Sequence, residues 1–170
     1  MKKHGFTLVE LLIGLAMSAL LLAMSLPALQ QHLDLMALSK ALDASLSQFR
    51  RAQALSLYSG GDVLVVLATG ENWCIVTAFD ECDCEKTGDC VSPADLPMLS
   101  HLSHPQISFN HSSFSPATYT RFAGGFGTSH GYAGTLTFNG QQVSGKVVLS
   151  NLGRVRACIE DFQYGAYDKC

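Results

Sequence analysis

The sequence predicts an α+β fold, with one long N-terminal helix packed on a C-terminal antiparallel β domain. Three observations predict it. Residues 6–29 form an apolar run long enough to cross a bilayer as a helix. Leu35, Leu38, Leu42, Leu46 and Phe49 then recur at spacings of three and four, which extends the helix as an amphipathic half. Beyond Gly60-Gly61 the pattern changes to short β-forming runs punctuated by turn residues.

The N-terminal helix carries the most specific signal. Lys2, Lys3 and His4 precede Gly5, and the apolar run starts at Phe6. A secretory signal places its small-residue cleavage site after the apolar region. Here the small residue, Gly5, stands before it, so cleavage there leaves the apolar segment on the mature chain. A single carboxylate, Glu10, lies inside the run. A charge at mid-bilayer costs about 2.5–3.5 kcal/mol on insertion scales, so such a residue points to function. The segment GFTLVELLIGLAMSALLLAMSLPAL resembles the prepilin signature of type IV pilins.

That resemblance implies a set of roles. A prepilin peptidase cuts between Gly5 and Phe6 and methylates the new amine of Phe6. Glu10 becomes the fifth mature residue, where a neighbouring subunit's N-terminal ammonium can neutralise it in the assembled filament. Pro27 becomes the twenty-second, where many pilins carry a helix-kinking proline. The implied organisation is a leader at 1–5, a transmembrane and assembly helix at 6–29, the amphipathic half of the pilin helix at 30–61 and a globular β-rich domain at 62–170. The implied location is the bacterial inner membrane, single-pass with a periplasmic domain, and then a pilus or pseudopilus.

Within the helix, Gly14, Ser18 and Ser25 are small enough for close helix packing. Pro27 lacks a backbone donor and is expected to bend or loosen the helix without ending it. Asp34, Lys40, Asp43, Gln48 and Arg50 supply the polar faces of the amphipathic half, and Gly60-Gly61 ends it.

Strands are expected at 63–68 and 73–79, joined by a turn at 69–72. A short strand is expected at 107–110. Residues 135–138 and 143–150, around Asn139-Gly140, read as a hairpin. Asn151-Leu152-Gly153 is a tight turn into a strand at 154–159. Gly124-Gly125-Phe126-Gly127 and Gly131 read as a loop, because a phosphate cradle would need a strand-to-helix context and a P-loop lysine.

Six cysteines, Cys74, Cys82, Cys84, Cys90, Cys158 and Cys170, all follow the apolar helix. Their even count suits an oxidising compartment and permits three disulfides, whose connectivity six cysteines leave open among 15 pairings. The irregular stretch 80–105 holds Asp80, Glu81, Asp83, Glu85, Asp89 and three of the cysteines. It reads as a disulfide-stapled surface loop. Calcium binding would call for EF-hand spacing, and zinc binding with His101 or His104 for paired C-x-x-C units; neither pattern is present. The pairing of Cys74, Cys82, Cys84 and Cys90 stays open.

Formal net charge is −3. Lys2 and Lys3 lie in the leader, so processing leaves nine Lys and Arg against 14 Asp and Glu, or −5. That argues against a protein that coats nucleic acid non-specifically over its whole surface but allows a local basic patch. No nucleophile–base pair stands out: His32, His101, His104, His111 and His130 are scattered, and no serine sits in a G-x-S-x-G context. The chain is therefore read as a non-enzyme with no cofactor and no metal.

The run from Lys146 to Cys158, ending in Gly153-Arg154-Val155-Arg156, resembles the C-terminal part of the GspH/FimT family of minor pilins and pseudopilins. Its G-R-x-R element is similar to that of FimT-like minor pilins, where this region is implicated in binding DNA during natural transformation. Arg154 and Arg156, two apart in a strand, share a face and can grip phosphates through planar guanidiniums. Cys158 and Cys170 can close the tail into a loop that presents Tyr164, Tyr167 and Lys169 near the arginines. Lys146 and Lys169 complete the expected basic set, while Glu160, Asp161 and Asp168 reduce it. Exposed strand arginines also serve simply as a solvated face or as edge protection.

The sequence thus points to a minor type IV pilin that initiates or caps a pilus and binds DNA for natural transformation. Its partners would be other pilins or pseudopilins, prepilin peptidase, the inner membrane and DNA. The rival is a type II secretion minor pseudopilin with a purely structural role.

Overall fold

A computed structural model describes residues 7–86, 88–93, 96–160 and 163–170, the His111 side chain excepted. Gly5 and Phe6, the expected processing site, lie outside the described residues, as do Lys2, Lys3 and Asp161. The chain divides into two compact units, Met1–Leu33 and Asp34–Cys170. One helix, α1 (Leu8–Ser59), supplies the described part of the first and the opening element of the second.

In the first unit every described side chain is exposed, including Leu8, Val9, Leu11, Leu12, Ile13 and Leu15. Such a surface is stable only against lipid or other apolar helices. Thr7 and Glu10 start α1 as a capping box. The Glu10 carboxylate accepts from the Thr7 backbone N–H at 2.9 Å and from its hydroxyl at 3.0 Å, and the Glu10 N–H donates to Thr7 Oγ1 at 3.3 Å. Ser18 and Ser25 donate back to the carbonyls of Leu15 and Leu22, so neither hydroxyl is left unpaired among apolar neighbours. The helix continues through Pro27.

In the second unit, Leu35, Leu38, Ala41, Leu42, Phe49 and Ala52 form the buried stripe that the three- and four-residue spacing predicts. Two corrections apply to the polar faces. Asp34 and Gln48 are buried, not solvated. Gln48 hydrogen-bonds the Thr77 hydroxyl at 2.9 Å. Asp34 accepts from three backbone N–H groups, those of Gln141, Gln142 and Val143. Burial is tolerable at both positions because each polar group finds partners. The helix ends at Ser59, where Gly60 takes a positive φ of 70° and donates to the Ser56 carbonyl, as a glycine C-cap does.

Nine strands follow: β1 (Val63–Ala68), β2 (Cys74–Ala78), β3 (Leu99–Ser100), β4 (Ser108–Ser112), β5 (Tyr119–Phe122), β6 (Gly134–Asn139), β7 (Ser144–Leu149), β8 (Val155–Ile159) and β9 (Asp168–Lys169). They form a four-stranded sheet, β3-β2-β1-β5, and a five-stranded sheet, β4-β6-β7-β8-β9. All pairs are antiparallel except β8 with β9, which is parallel and departs from the all-antiparallel expectation. β9 pairs with Cys158 and Ile159 at the end of β8, and the Cys158–Cys170 disulfide ties the C-terminal residue to the same strand.

The inner faces of both sheets share one core with α1: Val63, Val65, Ile75, Phe109, Phe122, Leu136, Phe138, Val147 and Ile159 pack with the helical stripe. Trp73 lies among them and donates its indole N–H to the Ile107 carbonyl at 2.9 Å. The outer face of the four-stranded sheet is also apolar. Leu64, Val66, Cys74 and Val76 form a second cluster there with Cys84, Cys82 and Cys90. The disulfides Cys74–Cys84 and Cys82–Cys90 fasten the acidic loop over this face. Burial on both faces is why 63–68 reads as a continuous apolar run rather than an alternating one.

Candidate functional site

The outer face of the five-stranded sheet is polar and uncovered. Strand alternation turns Leu136, Phe138, Val147, Leu149 and Ile159 inward. It leaves Thr135 and Thr137 of β6, Lys146 and Val148 of β7, and Arg156 and Cys158 of β8 on the other side. The register aligns them in rows: Thr135, Val148 and Arg156 across one, Thr137, Lys146 and Cys158 across the next. With Glu160 and Cys170 they line an open cleft of about 590 Å³.

Arg154 lies immediately before β8, one residue outside the strand expected to contain it. The reason is the preceding turn. The Gly153 N–H donates to the Ser150 carbonyl at 2.9 Å, and the Arg154 N–H donates to the Ser150 hydroxyl at 3.1 Å. The Arg154 carbonyl accepts from the Ser150 N–H at 3.0 Å, so it still closes the hairpin. The alternation holds: Arg154 and Arg156 are exposed and Val155 between them is half-buried. Neither guanidinium pairs with a carboxylate among the described residues, where Lys86–Asp83, Arg121–Asp62 and Lys146–Glu160 are the ion pairs.

Gly153 has a structural reason to be glycine. Its φ is +80°, and a Cβ there would run into the Gly127 carbonyl and the Gln53 side-chain amide. Gln53 donates to that same carbonyl at 2.8 Å. The G-R-x-R turn is thereby seated against the glycine-rich loop and the last turns of α1.

The other expected basic residues differ in setting. Lys146 shares the outer face with Arg156, but its ammonium is paired with Glu160, which also accepts from the Ser144 hydroxyl. The Lys146 and Ser144 hydrogen bonds hold the Glu160 carboxyl below its ordinary range. Lys146 therefore offers a compensated charge. Lys169 is in register with Ile159, whose side chain faces inward. Alternation sets it apart from Arg156 and Lys146, and it is exposed because β9 is an edge strand.

The expected presentation of Tyr167 beside the arginines is corrected. Tyr167 is buried, and its hydroxyl donates to Asp43 and approaches the Ser39 carbonyl at 3.3 Å. Burial and the neighbouring Asp43 carboxylate push that hydroxyl's pKa up. Tyr167 docks the C-terminal tail on α1. Tyr164 is half-buried against the same core and exchanges backbone hydrogen bonds with Tyr167. Cys158 and Cys170 do form the expected disulfide.

Two carboxylates of the acidic loop, Asp83 and Asp89, bond within it. Asp83 accepts from the Glu85 N–H and pairs with Lys86, while Asp89 accepts from the Asp83 N–H at 2.7 Å. His104 stacks on Trp73 with ring centroids 6.3 Å apart, and partial burial lowers its pKa. Among the described residues, no three His, Cys, Asp or Glu side chains converge as cation ligands.

Residues 1–26 match the family model described as the prokaryotic N-terminal methylation motif. No curated protein and no solved structure is a match for the chain. The motif, which includes the start of an apolar helix long enough to cross a membrane, makes the N-terminus that of a type IV pilin-like prepilin.

Proposed function

We propose that the chain is a minor type IV pilin that helps to initiate or cap a pilus and binds DNA for natural transformation. The role is structural and adhesive rather than catalytic. The N-terminal helix would anchor the precursor in the inner membrane, with the second unit periplasmic, and would then pack against other pilins. Glu10 and Pro27 would act in that assembly step, after prepilin peptidase cleaves before Phe6.

One observation supports the DNA reading most. Arg154 and Arg156 are both exposed, both unpaired among the described residues, and held by a turn whose glycine is sterically required. A guanidinium in that state can exchange counterions for phosphate without first breaking an ion pair. Lys146 and Lys169 would contribute longer-range attraction only.

The second reading is a type II secretion minor pseudopilin with a purely structural role, which the same helix and motif suit. Chromosomal Arg154→Ala with Arg156→Ala separates the two. The pilin reading expects normal piliation with a loss of DNA uptake. Normal uptake in that strain, or a secretion defect on deletion of the whole chain with pili unaffected, would favour the pseudopilin.

A further inference from the structure

The cleft on the outer face of the five-stranded sheet holds two cations and one carboxylate in a fixed order. Lys146 of β7 is in register with Cys158 of β8. Arg156 and Glu160 stand two positions either side of Cys158, so each is a diagonal neighbour of Lys146, at about 7–8 Å. Glu160 lies one residue beyond β8, where its N–H donates to the Ser144 carbonyl at 3.0 Å and continues the ladder. All three side chains line the same cleft. The Lys146 ammonium sits on a flexible four-carbon stem and can turn toward Arg156 or toward Glu160. It is bonded to Glu160, and the Ser144 hydroxyl donates to the other oxygen of that carboxylate.

Arg156 has no such partner among the described residues. A phosphate held by its guanidinium would lie within reach of the Lys146 ammonium once Lys146 left Glu160, and Thr135 and Thr137 supply hydroxyls to the same cleft. The ion pair is readily exchanged. The Lys146 side chain is 35% exposed and that of Glu160 34%, and pairs open to solvent contribute little to stability. A second carboxylate that register places on this face, Asp168, stands opposite Cys158 on β9 and does not line the cleft.

We infer that Glu160 is a built-in competitor for DNA: it withholds Lys146 from the phosphate that Arg156 binds, and so limits how tightly this face holds the ligand. The inference rests on the DNA reading above and concerns the regulation of its affinity. With Glu160 in place, Lys146 is compensated and Arg156 alone meets a phosphate in the cleft. Without it, two adjoining cations meet the phosphates and release one more counterion. Removing a carboxylate that does not hold Lys146 strengthens only the long-range attraction, which steers the ligand without adding a contact.

The test is a salt titration of a labelled DNA duplex, read by fluorescence anisotropy, on the full-length mature chain in a neutral detergent. Glu160→Gln keeps an acceptor for the Ser144 hydroxyl. It is expected to lower the duplex Kd by about threefold or more at low salt, with a log–log salt slope steeper than that of wild type by about 0.9. Lys146→Ala in the Glu160→Gln background should remove the added slope, and Lys146→Arg in that background should keep it. Asp168→Asn removes the same charge from the same face without freeing Lys146, so its slope should equal that of wild type. Because the expected effect is a gain that Lys146→Ala reverses, misfolding does not mimic it. An unaltered or shallower slope in Glu160→Gln overturns the inference while leaving the DNA reading intact. So does a steepening that Asp168→Asn reproduces or that survives Lys146→Ala. No binding by wild type or by Glu160→Gln at low salt instead defeats the DNA reading itself, and the inference with it.

Discussion

The Asp34 carboxylate, buried on the helix, accepts the Gln142 backbone N–H at 2.6 Å across 108 positions of sequence. The same carboxylate takes the N–H groups of Gln141 and Val143, so one side chain satisfies three of the four donors in the β6–β7 turn, while the Gly140 N–H goes to the Val143 carbonyl. Gly140 sits so close to it that a Cβ there would overlap the carboxylate. The pilin-like helix and the sheet that carries the candidate DNA site are thereby locked together at the first residue of the second unit.

Asp34→Ala should be among the most destabilising single substitutions in the second unit. It orphans three backbone donors, and hydrogen bonds to a charged group contribute about 1.5–3 kcal/mol each with partial non-additivity. A loss of about 3 kcal/mol or more is expected in denaturant titration of the full chain. Asp34→Asn keeps one acceptor oxygen and should lose less.

Gly153→Ala should disturb the G-R-x-R turn without touching either arginine. The positive φ costs an L-residue on the order of 1–3 kcal/mol, and the overlap with the Gly127 carbonyl adds to it. Hydrogen exchange is expected to show faster amide exchange in residues 123–131 and 150–156, with the remote acidic loop unchanged. Protection equal to wild type in both segments would mean that the turn is not held as described.

The Lys146–Glu160 pair gives a pH dependence of known sign. The Glu160 carboxyl is held below its ordinary value of 4.5 by its bonds to Lys146 and Ser144. The folded state therefore binds this proton less readily than the unfolded chain. Its contribution to stability is complete above about pH 4.5 and is lost as pH falls through the folded-state value. Glu160→Gln should flatten the stability profile in that acid range, and denaturant midpoints measured on both proteins across it check this.

The pilin reading expects maturation at the Gly5–Phe6 bond, which lies outside the described residues. In a strain with prepilin peptidase, intact-mass measurement should find a chain that starts at methylated Phe6. Gly5→Arg should leave the precursor uncut, because a bulky cation replaces the small residue at the scissile bond. Glu10→Ala should still insert, since it removes an expensive intramembrane charge, yet assemble poorly. It also removes the capping contacts to Thr7, so Glu10→Gln is the control that keeps an acceptor there.

Much of this was legible from local pattern. The spacing of Leu35, Leu38, Leu42 and Phe49 gave the buried stripe, and Gly60-Gly61 gave the helix end, because both depend on neighbours within a few residues. Asp34 was not legible as a core residue, since its partners lie more than 100 positions away and an isolated acid on an amphipathic helix ordinarily faces water. The strands Leu99–Ser100, Tyr119–Phe122 and Asp168–Lys169 have no legible signal in the sequence, because two or four residues carry too little alternation. At the candidate site, the pairing of Cys158 with Cys170 was anticipated, and the shared exposure of the arginines followed from alternation. The docking of Tyr167 on Asp43 and the neutralisation of Lys146 by Glu160 are tertiary facts without a local signal.

The central claim is that Arg154 and Arg156 bind nucleic-acid phosphate. Its most direct measurement is a salt titration of DNA binding by the full-length mature chain in neutral detergent, wild type against Arg154→Ala with Arg156→Ala. Wild type is expected to bind at low salt, without sequence preference, and to weaken steeply as salt rises. The double variant should bind far more weakly, with a log–log salt slope on duplex shallower by about 1.8, near 0.9 for each phosphate contact removed. Its stability should stay within about 0.5 kcal/mol of wild type, as for most exposed substitutions. No binding by wild type at low salt, or equal affinity and slope in the double variant, would contradict the account.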